Sequence, residues 1–199
     1  MPVQIPDRRP EGNSRDPFLF AAHDGVNALV FLFMLGLPYA GPSLLVQNYL
    51  TAKMLHLLGL MWFFGGLIVS TVCVSRFIFM QPSLDHDKLA YGFRFILVLE
   101  LCCIPSIALM AYGGMAMISR MGGFEHWPWA YQGYLMLLYT PPVLMIIPRL
   151  YHKRLIKNAA VRVEREKRLA FWQDWSFIVV MTLVMGYLAA SMVRKFTLF

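Results

Sequence analysis

Long apolar runs, rather than any motif, set the limits on what this chain can fold into. They recur at about residues 26–46, 54–79, 95–118, 130–148 and 175–193. At 1.5 Å per helical residue, each can cross or nearly cross a hydrocarbon core roughly 30 Å thick. With 58% hydrophobic and 15% charged residues, the chain lies outside the range of water-soluble domains. The fold class expected is an all-α integral membrane protein. Its architecture would be a four-helix transmembrane bundle plus an additional N-terminal hydrophobic segment, about five transmembrane helices in one domain over residues 26–199.

The basic residues give the orientation. Threading the chain through a bilayer five times sorts the 18 Lys and Arg residues 14 to 4. One side takes Arg8, Arg9, Arg15, Arg76, Lys88, Arg94, Arg149, Lys153, Arg154, Lys157, Arg162, Arg165, Lys167 and Arg168; the other takes Lys53, Arg120, Arg194 and Lys195. By the positive-inside rule the loaded side is the cytoplasm, which puts the N-terminus inside and the C-terminus outside. The net charge of +7 therefore points to anionic headgroups rather than to nucleic acid. Residues 1–25 read as a polar cytoplasmic arm, with no short apolar core and small-residue cleavage site of a signal peptide. Such an arm is a candidate docking element for a partner subunit.

The first apolar segment leaves two paths open. Pro38 and Pro42 flank Gly41, and proline inside a helix removes a hydrogen bond and crowds the preceding turn. The segment either spans, or dips in and emerges with Ser43 to Thr51 as an interfacial helix. Re-entry would move the first three arginines outside and weaken the charge split to 11 against 7, so the split favours spanning. In the second segment His56, Gly59, Phe63, Gly66 and Ser70 share a helical stripe roughly 80° wide, on which small residues allow a close neighbour. The third segment carries Arg94, Glu100 and Pro105 and ends in Gly113 and Gly114. An aromatic outer loop, RMGGFEHWPWAYQGY, follows. Pro141, Pro142 and Pro148 predict a kinked fourth segment, with carbonyls near Leu137 and Leu138 needing other partners. Residues 149–170 then read as a basic amphipathic cytoplasmic segment.

Few residues could carry chemistry. His56 and His126 both fall on the outer side, and imidazole is a common metal ligand. They are the candidate cofactor-binding residues: a b-type haem held by His56, with His126 or a weaker ligand opposite. The alternative is that His56 bonds a neighbouring carbonyl and His126 is an interfacial loop residue. His23, His86 and His152 fall at the cytoplasmic boundary and are expected to be solvated. Glu100 lies about two turns inside the membrane, where an unpaired carboxylate is costly. Its expected partners are Arg94, Arg76, Arg149 or an arginine near Asp174. It is either a proton-relay or quinone-site carboxylate or half of a buried ion pair that locks the helices. Cys73, Cys102 and Cys103 form no metal-binding spacing, and no nucleophile motif or phosphate loop is present.

The pattern of Lys53, His56, Trp62, Gly65, Gly66 and Arg76 within KMLHLLGLMWFFGGL and the residues after it resembles the first helix of a group of small bacterial membrane proteins. The group comprises an uncharacterised integral-membrane family, the HemJ-type protoporphyrinogen oxidases and the CopD-like copper-resistance membrane domains. The resemblance extends more loosely over residues 51–196, leaving residues 1–50 as an addition. It implies a four-helix bundle in a bacterial inner membrane. For the HemJ type it also implies b-type haem on His56 and tetrapyrrole oxidation. The lysine those enzymes carry at the start of the third helix has no counterpart here, Gln132 being nearest, which leans away from an enzyme. Two functions stay in view: an accessory subunit of a larger respiratory or photosynthetic membrane complex, or a small haem- or tetrapyrrole-binding redox protein. Transport would suit the prolines and Glu100, but no repeat or substrate motif accompanies them.

Overall fold

The computed structural model describes residues 16–73, 75–76 and 86–157, and in the C-terminal part residues 165, 168, 172, 175–176, 179–184, 186–187 and 190. These contain four long helices and no strand: α1 (Asp16–Gly36), α2 (Tyr49–Cys73), α3 (His86–Arg120) and α4 (Pro128–Lys157). Three helical stretches are long and apolar enough to cross a membrane: Pro17–Tyr39, Tyr49–Cys73 and Arg94–Arg120. The proposed docking arm up to residue 15, Asp174 and the part of the basic segment from 158 to 164 lie outside the described residues.

The first helix begins earlier than the apolar run suggests, at Asp16 instead of residue 26. Pro17 is harmless in a first turn whose N–H groups lack helical partners anyway. His23 and Asp24 interrupt the hydropathy without interrupting the helix. Its inward face is His23, Asn27, Val30, Met34 and Leu37, all buried and spaced four, three, four and three apart. Pro38 ends it. Two short 3-10 turns follow, Leu37–Tyr39 and Pro42–Leu44, in the region that the re-entrant alternative would have made an interfacial helix. Asn48 then starts α2, its Oδ1 accepting hydrogen bonds from the backbone N–H of Leu50 (2.9 Å) and Thr51 (3.2 Å).

The third helix is the centre of the bundle: α1, α2 and α4 all pack on it, and α1 also packs on α4. The sequence explains this, because α3 is buried on more than one row. Leu97, Ile104, Ile107, Ala111 and Met115 form one row; Ser106, Met110 and Gly113 form another, roughly a third of a turn away. The second row meets α2. A Cβ on Gly59 would sit 2.5 Å from Met110 N, and one on Gly113 would sit 2.5 Å from His56 N. The backbones of α2 and α3 therefore touch in an antiparallel pair, and the stripe expected on α2 faces α3, with Ala52 added at its start.

Hydroxyls tie the remaining elements together. Tyr134 on α4 donates to the Met34 carbonyl near the end of α1. Tyr112 on α3 donates to the Leu44 carbonyl at 3.0 Å. Tyr187 donates to Gln132 Oε1 at 2.7 Å, which sets the C-terminal helical residues against α4. Helix α4 runs through its prolines, and Thr140 Oγ1 donates back to the Met136 carbonyl at 3.0 Å just before Pro141.

Candidate functional site

Polar side chains inside an apolar bundle are costly unless partnered, so their placement marks the places to search. The densest group lies between α1 and α3. His23 and Asn27, one turn apart on α1, are 2% and 1% exposed. Glu100 stands across from them on the α3 row that also carries Leu97 and Ile104. It is about 9 Å along the helix axis from Arg94, where the membrane-spanning stretch begins. His23 Nε2 approaches Glu100 Oε2 to 3.3 Å. Asn27 Nδ2 donates to the His23 carbonyl at 3.0 Å and lies 3.4 Å from His23 Nδ1.

This arrangement corrects one expectation. His23 is not a solvated boundary residue: the earlier start of α1 carries it inside, onto the buried face of the helix. It is also an ionisable neighbour of Glu100, at 3.3 Å, that the sequence reading did not name beside the arginines. Arg94 is half-buried, Arg76 is exposed, and both engage in contacts of their own. Arg149 lies on α4, but its side chain and Asp174 are outside what is described. The sequence did carry a signal for His23 and Asn27. They extend the Val30, Met34 and Leu37 row backwards at the same spacing, a pattern that hydropathy averaging hides because both residues are polar.

The two histidines singled out from the sequence sit elsewhere. The His56 ring donates from Nδ1 to the Met110 carbonyl at 2.8 Å, and the ring lies against Gly114, where a Cβ would come within 3.2 Å of Nδ1. This bond fixes the tautomer and leaves Nε2 with its lone pair, the form a metal ligand needs. The seam around the ring is helix against helix in backbone contact, however, and no macrocycle fits into it. A haem on His56 would have to lie outside the α2–α3 pair. His126 belongs to the turn after α3, where Gly122 and Gly123 take φ values of 100° and 80° that close the helix C-terminus. Its Nδ1 donates to the Gly122 carbonyl at 2.8 Å, and Trp127 Nε1 donates to the Met121 carbonyl at 2.9 Å. Phe124 packs on Tyr131 and Tyr134 beside them. His126 thus fastens its own turn, and the carbonyls that anchor the two imidazoles are about 15 Å or more apart along α3.

Among the described residues no three His, Cys, Asp or Glu side chains are grouped to hold a metal ion. The three cysteines are free thiols on the helices, Cys102 exposed and Cys73 and Cys103 half-buried. The Cys103 side chain fills the space beside Gly66, where a Cβ would clash with its Sγ. Among the described residues, His23 and Glu100 are the ionisable pair that meets inside the bundle. No protein-family profile, curated protein or solved structure matches this chain.

Proposed function

We propose that this chain is a five-span integral membrane protein of a bacterial inner membrane, with its N-terminus in the cytoplasm and its C-terminus in the periplasm. Its role is that of an accessory subunit in a larger respiratory or photosynthetic membrane complex. The observation that carries this reading is the placement of α2. It packs on α3 along one stripe and on little else among the described elements. The rest of its surface, including Met54, Leu58, Met61, Trp62, Ile68 and Val72, is an exposed apolar face. Gly65 lies within that face with nothing within 4 Å of where its Cβ would be. A small residue in an open apolar face is where a further helix can approach closely. The described hydrogen bonds of His56, Tyr112, Tyr134 and Gln132 join elements of the bundle, and that of His126 closes its own turn, so these polar groups serve packing, as a structural subunit requires.

The test is purification from the native membrane in mild detergent, with a native gel and a reduced-minus-oxidised spectrum on the same sample. The chain is expected in an assembly larger than its own 22.9 kDa, with any colour following the partners. Gly65→Leu should release it from that assembly without unfolding it. A chain that runs alone and carries a b-type band lost in His56→Ala would replace this reading with the haem-binding one implied by the HemJ resemblance. A colourless chain that runs alone would refute both.

A further inference from the structure

We propose that His23, Asn27 and Glu100 form a proton-binding site within the membrane-spanning part of the bundle, in which Glu100 takes up the proton. The inference goes beyond the subunit reading and stands whether or not the chain has partners.

The backbone sets the chemistry. Asn27 Nδ2 lies 3.0 Å from the His23 carbonyl oxygen, a contact that only the N–H end of the amide can make. Turning Oδ1 there would set two oxygens against each other. Asn27 Nδ2 also lies 3.4 Å from His23 Nδ1, a contact suited to the tautomer with the lone pair on Nδ1 and the proton on Nε2. That proton points to the Glu100 side.

Glu100 is the group that changes charge. Its Oε2 and His23 Nε2 approach to 3.3 Å without the alignment of a full hydrogen bond. Both atoms, and Asn27 Oδ1, are buried without a hydrogen-bond partner. Two of these three side chains are almost wholly enclosed, so the polar atoms have no water to turn to. An ionised carboxylate so placed holds Oε2 without an aligned donor in a region of low dielectric, with the His23 ring as its nearby polar neighbour. Taking up one proton, carboxylate plus H⁺ giving the carboxylic acid, removes the charge and converts the group into a donor. The Glu100 side chain keeps 20% of its surface open where His23 keeps 2%, so exchange runs through the glutamate.

Among the described residues, the ionisable side chain placed within ion-pair distance of Glu100 is His23. Cys103, one turn along α3, lies within electrostatic reach of Glu100 and is a thiol. Asp24 beside His23 and Arg94 on α3 are each engaged in contacts of their own. The buried polar side chains described on α4 are Gln132, Tyr134 and Thr140, none of them charged near neutrality.

The test is infrared difference spectroscopy of the full chain in phosphatidylcholine vesicles, taken through about pH 5 to 9, the range around histidine's own titration. The expected result is one carboxyl C=O band that grows as pH falls, is absent in Glu100→Gln, and has its midpoint moved to higher pH in His23→Phe. That move should be about one pH unit, a tenfold change in proton affinity. A wild-type spectrum with no titrating carboxyl band overturns the proposal by itself, so the test survives a Glu100→Gln variant that fails to insert. A titrating band that persists in Glu100→Gln, or one unmoved in a folded His23→Phe, overturns it equally.

Discussion

Adding one methyl group at Gly59 tests the α2–α3 contact on which the bundle is built. In Gly59→Ala the new Cβ would meet Met110 N at 2.5 Å, Ser106 O at 2.7 Å and Met110 Cα at 2.8 Å. All three are backbone atoms of α3, so no side chain can swing aside. The helices must separate by roughly 1 Å to regain a carbon–carbon distance near 3.5 Å. Overpacking of this kind costs about 1–3 kcal/mol. The separation also pulls on the 2.8 Å bond between His56 Nδ1 and the Met110 carbonyl. Gly65 supplies the control. It lies on the same helix with nothing within 4 Å, so Gly65→Ala adds the same methyl to open space. Any gain in helix propensity, at most about 1 kcal/mol, is common to both variants and cancels in the comparison. Gly59→Ala should therefore be about 1–3 kcal/mol less stable than Gly65→Ala. Reversible unfolding in mixed micelles by added sodium dodecyl sulfate, followed by circular dichroism, measures the difference directly. If Gly59→Ala unfolds at the same or a higher detergent fraction than Gly65→Ala, the two backbones do not meet as described.

Three smaller perturbations probe the other joints of the bundle by the same assay. Asn48→Ala removes the side-chain acceptor for two N–H groups at the start of α2 and should cost about 1 kcal/mol; no loss of stability would mean that another group caps the helix. Tyr134→Phe strips the donor from the Met34 carbonyl at a buried site and should cost about 1–3 kcal/mol. A neutral result there would place the α1–α4 contact in doubt. His56→Ala empties the space against Gly114 and frees the Met110 carbonyl, so stability should fall by about 1–3 kcal/mol while the visible spectrum stays as it was. Loss of an absorption band on that substitution would assign His56 to a cofactor instead.

How much of this could be read from the sequence depended on whether the local signal agreed with the tertiary one. The α2 stripe was legible because His56, Gly59, Phe63, Gly66 and Ser70 combine small size with helical spacing, and small size in a membrane helix has few uses besides close packing. The membrane class was legible from segment length alone. The start of α1 was not, because His23 and Asp24 depress a hydropathy average over residues that are nonetheless helical from Asp16. The 3-10 turns after α1 were half legible: Pro38 and Pro42 signal a break, but whether the chain beyond them forms a helix is decided by what it packs on. The partner of Glu100 could not be read at all. Arginine is the obvious partner for a buried carboxylate by charge, while the choice of His23 follows from the rotation of α1 about its axis, which only its packing on α3 and α4 determines.

The two seams of α3 use opposite means to hold a neighbour. Toward α2 the row of Ser106, Met110 and Gly113 lets backbone meet backbone, and its polar groups are small hydroxyls and one imidazole bonded to a carbonyl. Toward α1 the row carrying Leu97 and Ile104 includes Glu100, which meets an imidazole and an amide at positions where an apolar row would continue uninterrupted. An apolar residue at 23, 27 and 100 would satisfy packing at no electrostatic cost, since lipid-facing helices associate through close contact and need no buried charge. A seam that keeps an acid, a histidine and an amide with polar atoms still unpartnered is therefore hard to explain by stability alone. The glycine seam is sufficient for assembly, as its contacts are already at the limit of approach. The polar seam holds the ionisable pair of the described bundle, and α3 is the described helix that carries both seams.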